Sequence, residues 1–362
     1  MISGISYGQI KFSISTEQEY SDNPFLSPFP VASYMSSYDF GIEGNLKLFE
    51  VGYYGSYSMF DAIPERNYYW HQFGAWHRFE SGQLGAYVER RMNQPESAYF
   101  DYTNLTAYYR TRFNIKNLYF TIAPNVNYTT YDNISILDNI KGNFNFNINY
   151  GSDIGLTLIA GGGINYKHYQ NPSSVQSITY LDEDGSTFDT TLTIKNLSSL
   201  TQLVGFARVA KSITPTTGLA VQFTNRSLTN SIKEEVKDVN IIFGDESEMF
   251  DDPVNYEGNV YSIELTQILF GNMVVKGGYY YLNKNYPTQG IYDELYVYDT
   301  SFMRTDVQKV LSISVRKKFD LPFMNDSKLA IGLYYRQVVN ESNSFWFNYK
   351  ANSFNVSLDL EF

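Results

Sequence analysis

The chain contains no cysteine, and only 18% of its 362 residues are charged. The first absence excludes disulfides, thiolate metal sites and catalysis by a thiol. The second sets the chain apart from soluble domains, in which about 25% of the residues are charged. Long hydrophobic runs are missing too, since the most apolar stretch, around Gly155–Ile164, is short and rich in glycine. A membrane-spanning helix needs about 20 consecutive apolar residues, so a helical membrane protein is excluded.

Basic charge is also scarce: 27 basic residues face 38 acidic ones, and the net charge is −11. Nucleic-acid-binding surfaces are basic, so no nucleic-acid partner is expected. Disorder is excluded because 43% of the residues are hydrophobic. Aromatic residues are abundant, with 33 tyrosines and 26 phenylalanines. Two classes remain, a large soluble β protein and a membrane β-barrel.

Apolar and polar residues alternate along most of the chain. The alternation is clear in Leu118–Thr129, Asn143–Tyr150 and Ser353–Phe362, where every second residue is apolar. Successive side chains of a strand point to opposite faces, so each segment predicts a strand with one apolar and one polar face. Asn67–Glu80 and Leu200–Lys211 have the composition of strands, but their faces are not resolved. The total is about 16 strands, within a range of about 14 to 18.

The connections between the predicted strands fall into two alternating sets. One set is short, as at Ser81–Gly82 and Gly271–Asn272. The other set is often long: Ser21–Pro30, Ala62–Arg66, Asp132–Leu137, Asn171–Lys195, Leu228–Tyr256 and Asn285–Ser301. Short periplasmic turns and long extracellular loops are typical of outer-membrane barrels. The predicted fold is therefore all-β, a transmembrane antiparallel up-and-down β-barrel.

No linker rich in proline, glycine or serine divides the chain. Residues 9–362 are therefore predicted to form a single transmembrane β-barrel domain. Residues 1–8 lack the basic and apolar regions of an export signal. They are interpreted either as the remnant of a trimmed leader or as a flexible N-terminus.

The tyrosine content favours the membrane barrel over a soluble sandwich. Each buried tyrosine hydroxyl requires a hydrogen-bond partner, and a soluble core would have to supply a great many for 33 tyrosines. At a membrane surface the ring lies at the lipid boundary while the hydroxyl reaches water. A sheet in lipid must also close, because lipid offers no partners to an open edge.

The last predicted strand carries an assembly pattern on one face: Phe354, Val356, Leu358, Leu360 and Phe362. This resembles the C-terminal signature of bacterial outer-membrane barrels, in which the barrel-assembly machinery reads a terminal aromatic residue preceded by alternating apolar residues. The resemblance implies a Gram-negative outer membrane, with its lipid, lipopolysaccharide and assembly machinery as partners. The abundance of asparagine, tyrosine and isoleucine is similar to that of barrels from the Bacteroidota.

If the apolar face contacts lipid, the other face lines a lumen. The lumen-lining candidates are Glu43, Glu89, Arg91, Arg110, Arg112, Lys167, Arg226, Glu264, Lys276, Arg316 and Arg336. The same face also holds Lys11, Glu17, Asp39, Asp359 and Glu361. Nine of these side chains are basic and seven are acidic, so the wall has mixed charge. Two interpretations stay open: the charges tune a pore, or they pair across strands, as we expect for Glu264 and Lys276.

Acidic residues concentrate in two of the long loops. The carboxylates are Asp182, Glu183, Asp184 and Asp189 in one loop, and Glu234, Glu235, Asp238, Asp245, Glu246, Glu248, Asp251 and Asp252 in the other. Oxygen ligands suit Ca²⁺ or Mg²⁺, yet neither loop fits the spaced calcium-loop pattern. A solvated acidic surface is the simpler interpretation, and no cofactor is expected.

Catalysis has little support in the sequence. His71 and His77 lie on one face of their strand. Histidines and tryptophans near strand ends more often belong to an aromatic girdle than to a lipase site. The glycine run Gly161–Gly163 has no following helix and indicates a bend or close packing inside the barrel.

The sequence thus predicts a porin-like, non-enzymatic channel for small hydrophilic solutes in the bacterial outer membrane. One alternative is a structural or accessory barrel of a secretion or surface-assembly complex that acts through partner proteins. Other envelope proteins, or further copies of the chain in a homo-oligomer, are the partners considered. The segment Asp22–Pro30 resembles in part the asparagine-proline-aromatic start of the PorP/SprF group, although it follows the first strand. A barrel phospholipase is the third reading.

Overall fold

The computed structural model describes residues 10–171, 174–181, 187–195, 199–229, 235–237, 253–295, 297–322 and 327–362. Its strands are β1 (Lys11–Ser21), β2 (Ser33–Leu46), β3 (Phe49–Phe60), β4 (Tyr68–Phe79), β5 (Gly82–Asn93), β6 (Tyr102–Ile115), β7 (Leu118–Tyr131), β8 (Asn139–Gly151), β9 (Leu156–Tyr169), β10 (Ser174–Leu181), β11 (Thr187–Lys195), β12 (Leu200–Thr214), β13 (Thr217–Leu228), β14 (Glu235–Lys237), β15 (Glu257–Ile268), β16 (Val274–Tyr286), β17 (Ile291–Tyr292), β18 (Tyr298–Asp299), β19 (Arg304–Leu321), β20 (Ser327–Ser342) and β21 (Tyr349–Glu361).

Sixteen of these strands close into one antiparallel barrel, in the order β1–β9, β12, β13, β15, β16, β19, β20, β21. The predicted fold class and strand number are confirmed. Strand β1 pairs with β21 to close the sheet. At this seam Phe12 and Phe362 exchange both backbone hydrogen bonds, at 2.9 and 3.0 Å. Closure leaves the barrel no strand edge with unpaired backbone N–H and C=O groups, for which lipid offers no hydrogen-bond partners.

The short connections contain residues with positive φ, as tight turns between twisted strands require. Lys47 and Lys116 have φ of 50° and 55° in the turns after β2 and β6. Gly271 and Asn272, the turn expected from the sequence, have φ of 64° and 57°. All of these turns lie at one end of the barrel, which is the periplasmic end by the rule that outer-membrane barrels keep their short turns there.

The long connections lie at the opposite, outer end and carry structure of their own. The segment Asn171–Lys195, predicted to be a loop, contains β10 and β11, which form a separate sheet with β14. Strands β17 and β18 pair within the connection between β16 and β19. Short 3₁₀ turns occupy other outer connections: Pro64–Arg66, Pro95–Phe100, Ser135–Leu137 and Phe345–Phe347. A further one, Phe270–Asn272, forms the periplasmic turn between β15 and β16. No helix in the described part of the chain is long and apolar enough to span a membrane.

The two faces of the barrel wall differ as the alternation predicts. Apolar side chains of the outward set are open, with Val126 53% and Phe144 45% exposed. The polar side chains of Gln202 and Asn340, which belong to the inward set, are fully buried. A soluble protein rarely leaves so continuous an apolar surface uncovered. The outer face is therefore suited to lipid, and the inner face to water.

Candidate functional site

The lumen-lining candidates share one face of the barrel wall. Glu43 lies opposite Gly52, and Glu89 lies opposite Gln72. Followed around the barrel, the strand ladders place every candidate on the inward face: Glu43, Glu89, Arg91, Arg110, Arg112, Lys167, Arg226, Glu264, Lys276, Arg316 and Arg336. The interior wall thus carries charges of both signs.

Glu264 is bound by an arginine that the sequence pattern did not assign to the lumen. Arg208 Nη2 donates to Glu264 Oε2 at 2.5 Å, and the Tyr280 hydroxyl donates to Oε1 at 2.8 Å. Lys276 instead faces Thr266 in the next strand. The expected pairing of Glu264 with Lys276 is therefore wrong in its partner, although cross-strand pairing itself occurs.

Arg208 escapes the sequence pattern because β12 carries apolar residues on both faces. Val204 and Phe206 point inward together with Arg208, whereas Leu203 and Val209 point outward. The period of two is therefore hidden in the sequence of this strand. Its register with β9 and β13 resolves the two faces.

The glycine run of β9 provides room for an inward ring. A methyl group on Gly161 would lie 2.8 Å from Cε1 of Phe206, and one on Gly163 would lie 2.4 Å from Asn145 Oδ1. The run lies inside a continuous strand, Leu156–Tyr169. Close packing, one of the two readings from the sequence, accounts for these glycines.

A second ion pair stabilises the wall near the seam. Arg316 Nη2 donates to Asp359 Oδ2 at 2.9 Å, reaching across β20 from β19 to β21. The Ser15 hydroxyl on β1 donates to Oδ1 of the same carboxylate at 2.6 Å. Some charges of the wall therefore neutralise one another instead of acting singly on a solute.

At the outer end, the segment Pro253–Tyr256 lies against the inner wall. The amide of Gln202 donates to Pro253 O at 2.6 Å and to Tyr256 O at 2.7 Å. Inward cations contact the ring of Tyr256, Arg226 at 5.6 Å and Lys284 at 5.2 Å. Gln202 is completely buried. This chain segment therefore projects into the outer mouth of the barrel.

An enclosed ion pair lies beside it. Arg304 binds Asp306 with two hydrogen bonds, of 3.1 and 2.5 Å, and both side chains are almost completely buried. Asn340 Nδ2 donates to the same carboxylate at 3.2 Å. The guanidinium also lies 4.0 Å from the ring centre of Tyr286 and 3.3 Å from that of Phe347. Two-point pairing of this kind is the strong form of a charged hydrogen bond.

Two further lumen candidates near the outer end contact aromatic rings. Arg91 lies 4.2 Å from the ring centre of Tyr68, and Lys167 lies 4.6 Å from that of Tyr169. Both cations are buried. Cation–π contacts strengthen when they are withdrawn from water, so these side chains help to order the outer mouth.

The histidines lie on the outward face. Tyr53 and His71 Nδ1 are hydrogen-bonded at 2.7 Å, and His77 is hydrogen-bonded to the backbone carbonyl of Leu48. His168 Nδ1 lies 2.7 Å from the Ser199 hydroxyl oxygen. No carboxylate is hydrogen-bonded to His168 among the described residues.

The two acidic loops, interpreted from the sequence as a solvated surface, lie largely outside the described residues. The side chains from Asp182 to Asp189 and from Glu234 to Asp252 lie outside the described part of the structure. Among the side chains that are described, no group of three or more histidine or acidic residues is arranged to hold a metal ion.

The assembly pattern forms the outward face of β21, where Phe354, Leu358 and Phe362 are exposed. Phe362 stacks on Phe12 across the seam, with ring centres 5.6 Å apart. Recognition of this strand by the assembly machinery stays a prediction.

No family model matches the sequence, and no curated protein matches it. Solved structures do: OccAB1 of Acinetobacter baumannii superposes with a TM-score of 0.56 at 10% identity, covering 98% of this chain and 96% of that chain. More distant are a bacterial polysaccharide outer membrane secretin (TM-score 0.49, 9% identity, 99% of each chain) and OpdK, an outer membrane protein of Pseudomonas aeruginosa (TM-score 0.47, 8% identity, 98% of this chain and 99% of that chain).

At such low identity the similarity to OccAB1 concerns the fold alone. The fold is that of a porin-like outer-membrane β-barrel. The exposed apolar belt and the closed sheet are the features that this location demands. The barrel therefore belongs in the bacterial outer membrane.

Proposed function

We propose that the protein is a porin-like channel that lets small hydrophilic solutes cross the outer membrane, without catalysis and without a cofactor. One observation carries this proposal: the inward face of a closed sixteen-stranded barrel is polar and bears charges of both signs. A barrel of about 16 strands is wide enough to enclose an aqueous passage.

The paired charges support weak ion selectivity. Arg208 neutralises Glu264, and Arg316 neutralises Asp359. A pore selects strongly when a ring of charges has a single sign, and this wall has no such ring among its described residues. Solute size and hydrogen bonding would then matter more than solute charge.

The test is the conductance of the purified barrel in planar lipid bilayers. We expect stepwise, long-lived openings, and liposomes that carry the protein should swell in small sugars but not in large dextrans. A folded barrel that gives no openings and no swelling would contradict the proposal. If that closed barrel also co-purified with other envelope proteins, the accessory role would replace the channel.

A hydrolysis assay checks the non-enzymatic part of the proposal. Purified protein should leave phospholipid in mixed micelles intact. Release of fatty acid that is lost in His71→Ala, His77→Ala or His168→Ala variants would contradict it.

A further inference from the structure

Four of the inward aromatic side chains of β3–β6 lie directly opposite a glycine on the neighbouring strand. They are Tyr54, Trp76, Tyr87 and Tyr108, called here the aromatic wall. All belong to the inward set, and all are half-buried, so part of each ring faces the lumen.

Each ring of the aromatic wall has glycine as a direct cross-strand partner. Tyr54 lies opposite Gly41, and Tyr87 lies opposite Gly74. Gly85 lies between Trp76 on one side and Tyr108 on the other. Each ring therefore has at least one neighbouring position on the wall that carries no side chain.

The rings occupy the space that these glycines leave. A methyl group on Gly52 would lie 2.7 Å from Cη2 of Trp76, and one on Gly41 would lie 3.0 Å from Cδ1 of Tyr54. A methyl group on Gly85 would lie 2.7 Å from the Tyr108 hydroxyl oxygen. The rings of Trp76, Tyr54 and Tyr108 therefore lean along the wall over the neighbouring strand instead of projecting across the lumen. Such a surface leaves the passage open and presents apolar area to a solute.

Hydrogen-bonding groups surround the aromatic wall. The Tyr54 hydroxyl donates to Glu43, and Gln83 Nε2 donates to the Tyr108 hydroxyl at 2.9 Å. Glu50 pairs with Arg78 at 3.1 Å. Inward charges of both signs flank the patch, three acidic and three basic: Glu43, Glu50, Glu89, Lys11, Arg78 and Arg110. The patch therefore has no excess positive charge that would favour an anionic solute.

From this geometry we propose that the aromatic wall is a binding track for neutral carbohydrate. A pyranose ring offers a C–H face, which is attracted to the negative face of an aromatic ring, and hydroxyl groups at its edge for the carboxylates and amides. The rows occupied by Trp76, Tyr87 and Tyr54 are successive along the strands, which gives a length of about 14 Å. This is long enough for a short oligosaccharide. The proposal rests on the channel function and specifies the solute class.

The test measures trisaccharide binding in two ways, by calorimetry on the detergent-folded barrel and by interruption of single-channel current. Maltotriose and cellotriose are the probes, and benzoate represents an aromatic anion. We expect both sugars to bind and benzoate not to bind. Replacing Trp76→Ala together with Tyr108→Ala should shorten the sugar dwell time about tenfold or more, while Trp76→Phe should retain most of it.

Phe206→Ala supplies the matched control. Phe206 also leans over an inward glycine, Gly161, but on a different part of the wall. Its loss should leave sugar binding unchanged. Heat-dependent migration on gels confirms that each variant is folded.

The results separate this proposal from the channel proposal. Current steps without sugar binding would overturn the carbohydrate track and leave the channel. Sugar binding without current steps would overturn the channel and leave the carbohydrate track. Sugar binding that survives the double replacement, or that is lost equally in Phe206→Ala, would also overturn the track.

Discussion

The enclosed pair of Arg304 and Asp306 shows how a single residue can control the outer mouth. Both partners are withdrawn from water, so replacing Asp306 removes the two-point partner of a buried guanidinium. Asp306→Ala should lower the free energy of unfolding by about 3–5 kcal/mol. Urea-induced unfolding in detergent micelles, followed by tryptophan fluorescence, measures this change.

Lys309 and Glu341 form the control pair. Their side chains meet at 2.7 Å but remain 36% and 58% exposed, so water screens the interaction. Glu341→Ala should cost at most about 1 kcal/mol. Equal losses in the two variants would show that the Arg304 pair is not enclosed in the folded barrel.

Asp132 makes the stability of the outer loops beside β5 and β7 depend on pH. Arg90 donates to both carboxylate oxygens of Asp132, at 2.8 and 2.5 Å, and this lowers the pKa of Asp132 below its ordinary 3.8. Because the folded pKa is lowered, the stabilisation is complete above the ordinary value and is lost as the pH falls through the lowered one. The loops beside β5 and β7 should become open to pepsin as the pH drops below about 3.8.

The comparison variant is Asp132→Asn, which should make pepsin cleavage at this site less dependent on pH. Asp153→Asn, an exposed change in the turn at the other end of the barrel, should leave the pH profile unchanged. A wild-type profile in the Asp132 variant would show that this pair does not hold the loops.

At the scale of the strand, the alternation of faces predicts opposite effects for nearby positions. Val126 of β7 points outward and is 53% exposed, whereas Ala123 points inward. Val126→Lys places a charge in lipid and should cost about 2–4 kcal/mol near the membrane centre. Ala123→Lys meets the aqueous lumen and should cost far less. Folding yields into lipid vesicles compare the two, and similar losses would contradict the assigned faces.

The same physical feature hides the two faces of both strands that the sequence pattern left unresolved, β4 and β12. In β4, Trp70 and Trp76 point inward while Phe73 points outward, so both faces are aromatic. The alternation of residues in the sequence distinguishes the two faces of a strand only when one face is apolar and the other is polar. The aromatic wall was hidden because the tyrosines and tryptophans were assigned from the sequence to the lipid boundary.

Loop structure was also beyond the sequence pattern. Strands β10 and β11 alternate polar and apolar residues, but they form a sheet apart from the barrel. Periodicity predicts that a segment is a strand and does not say which sheet it joins. The wall of the barrel could be predicted because most of its sixteen strands follow one rule, with apolar residues outward and polar residues inward. The structure of the outer mouth depends on individual contacts, which the alternation does not encode.

For the whole molecule, the proposed passage depends on how far the outer mouth is closed. Gln202 donates to the carbonyls of both Pro253 and Tyr256, so Gln202→Ala removes two of the bonds that hold this segment on the wall. Single-channel conductance should rise, because the segment loses its fixed position in the mouth. The control is Gln222→Ala on the adjacent strand, whose amide donates to Thr224 at 3.1 Å, and its conductance should match the wild type. An unchanged conductance in Gln202→Ala would mean that the mouth is not where the current is limited, and that the resistance lies deeper, along the charged wall.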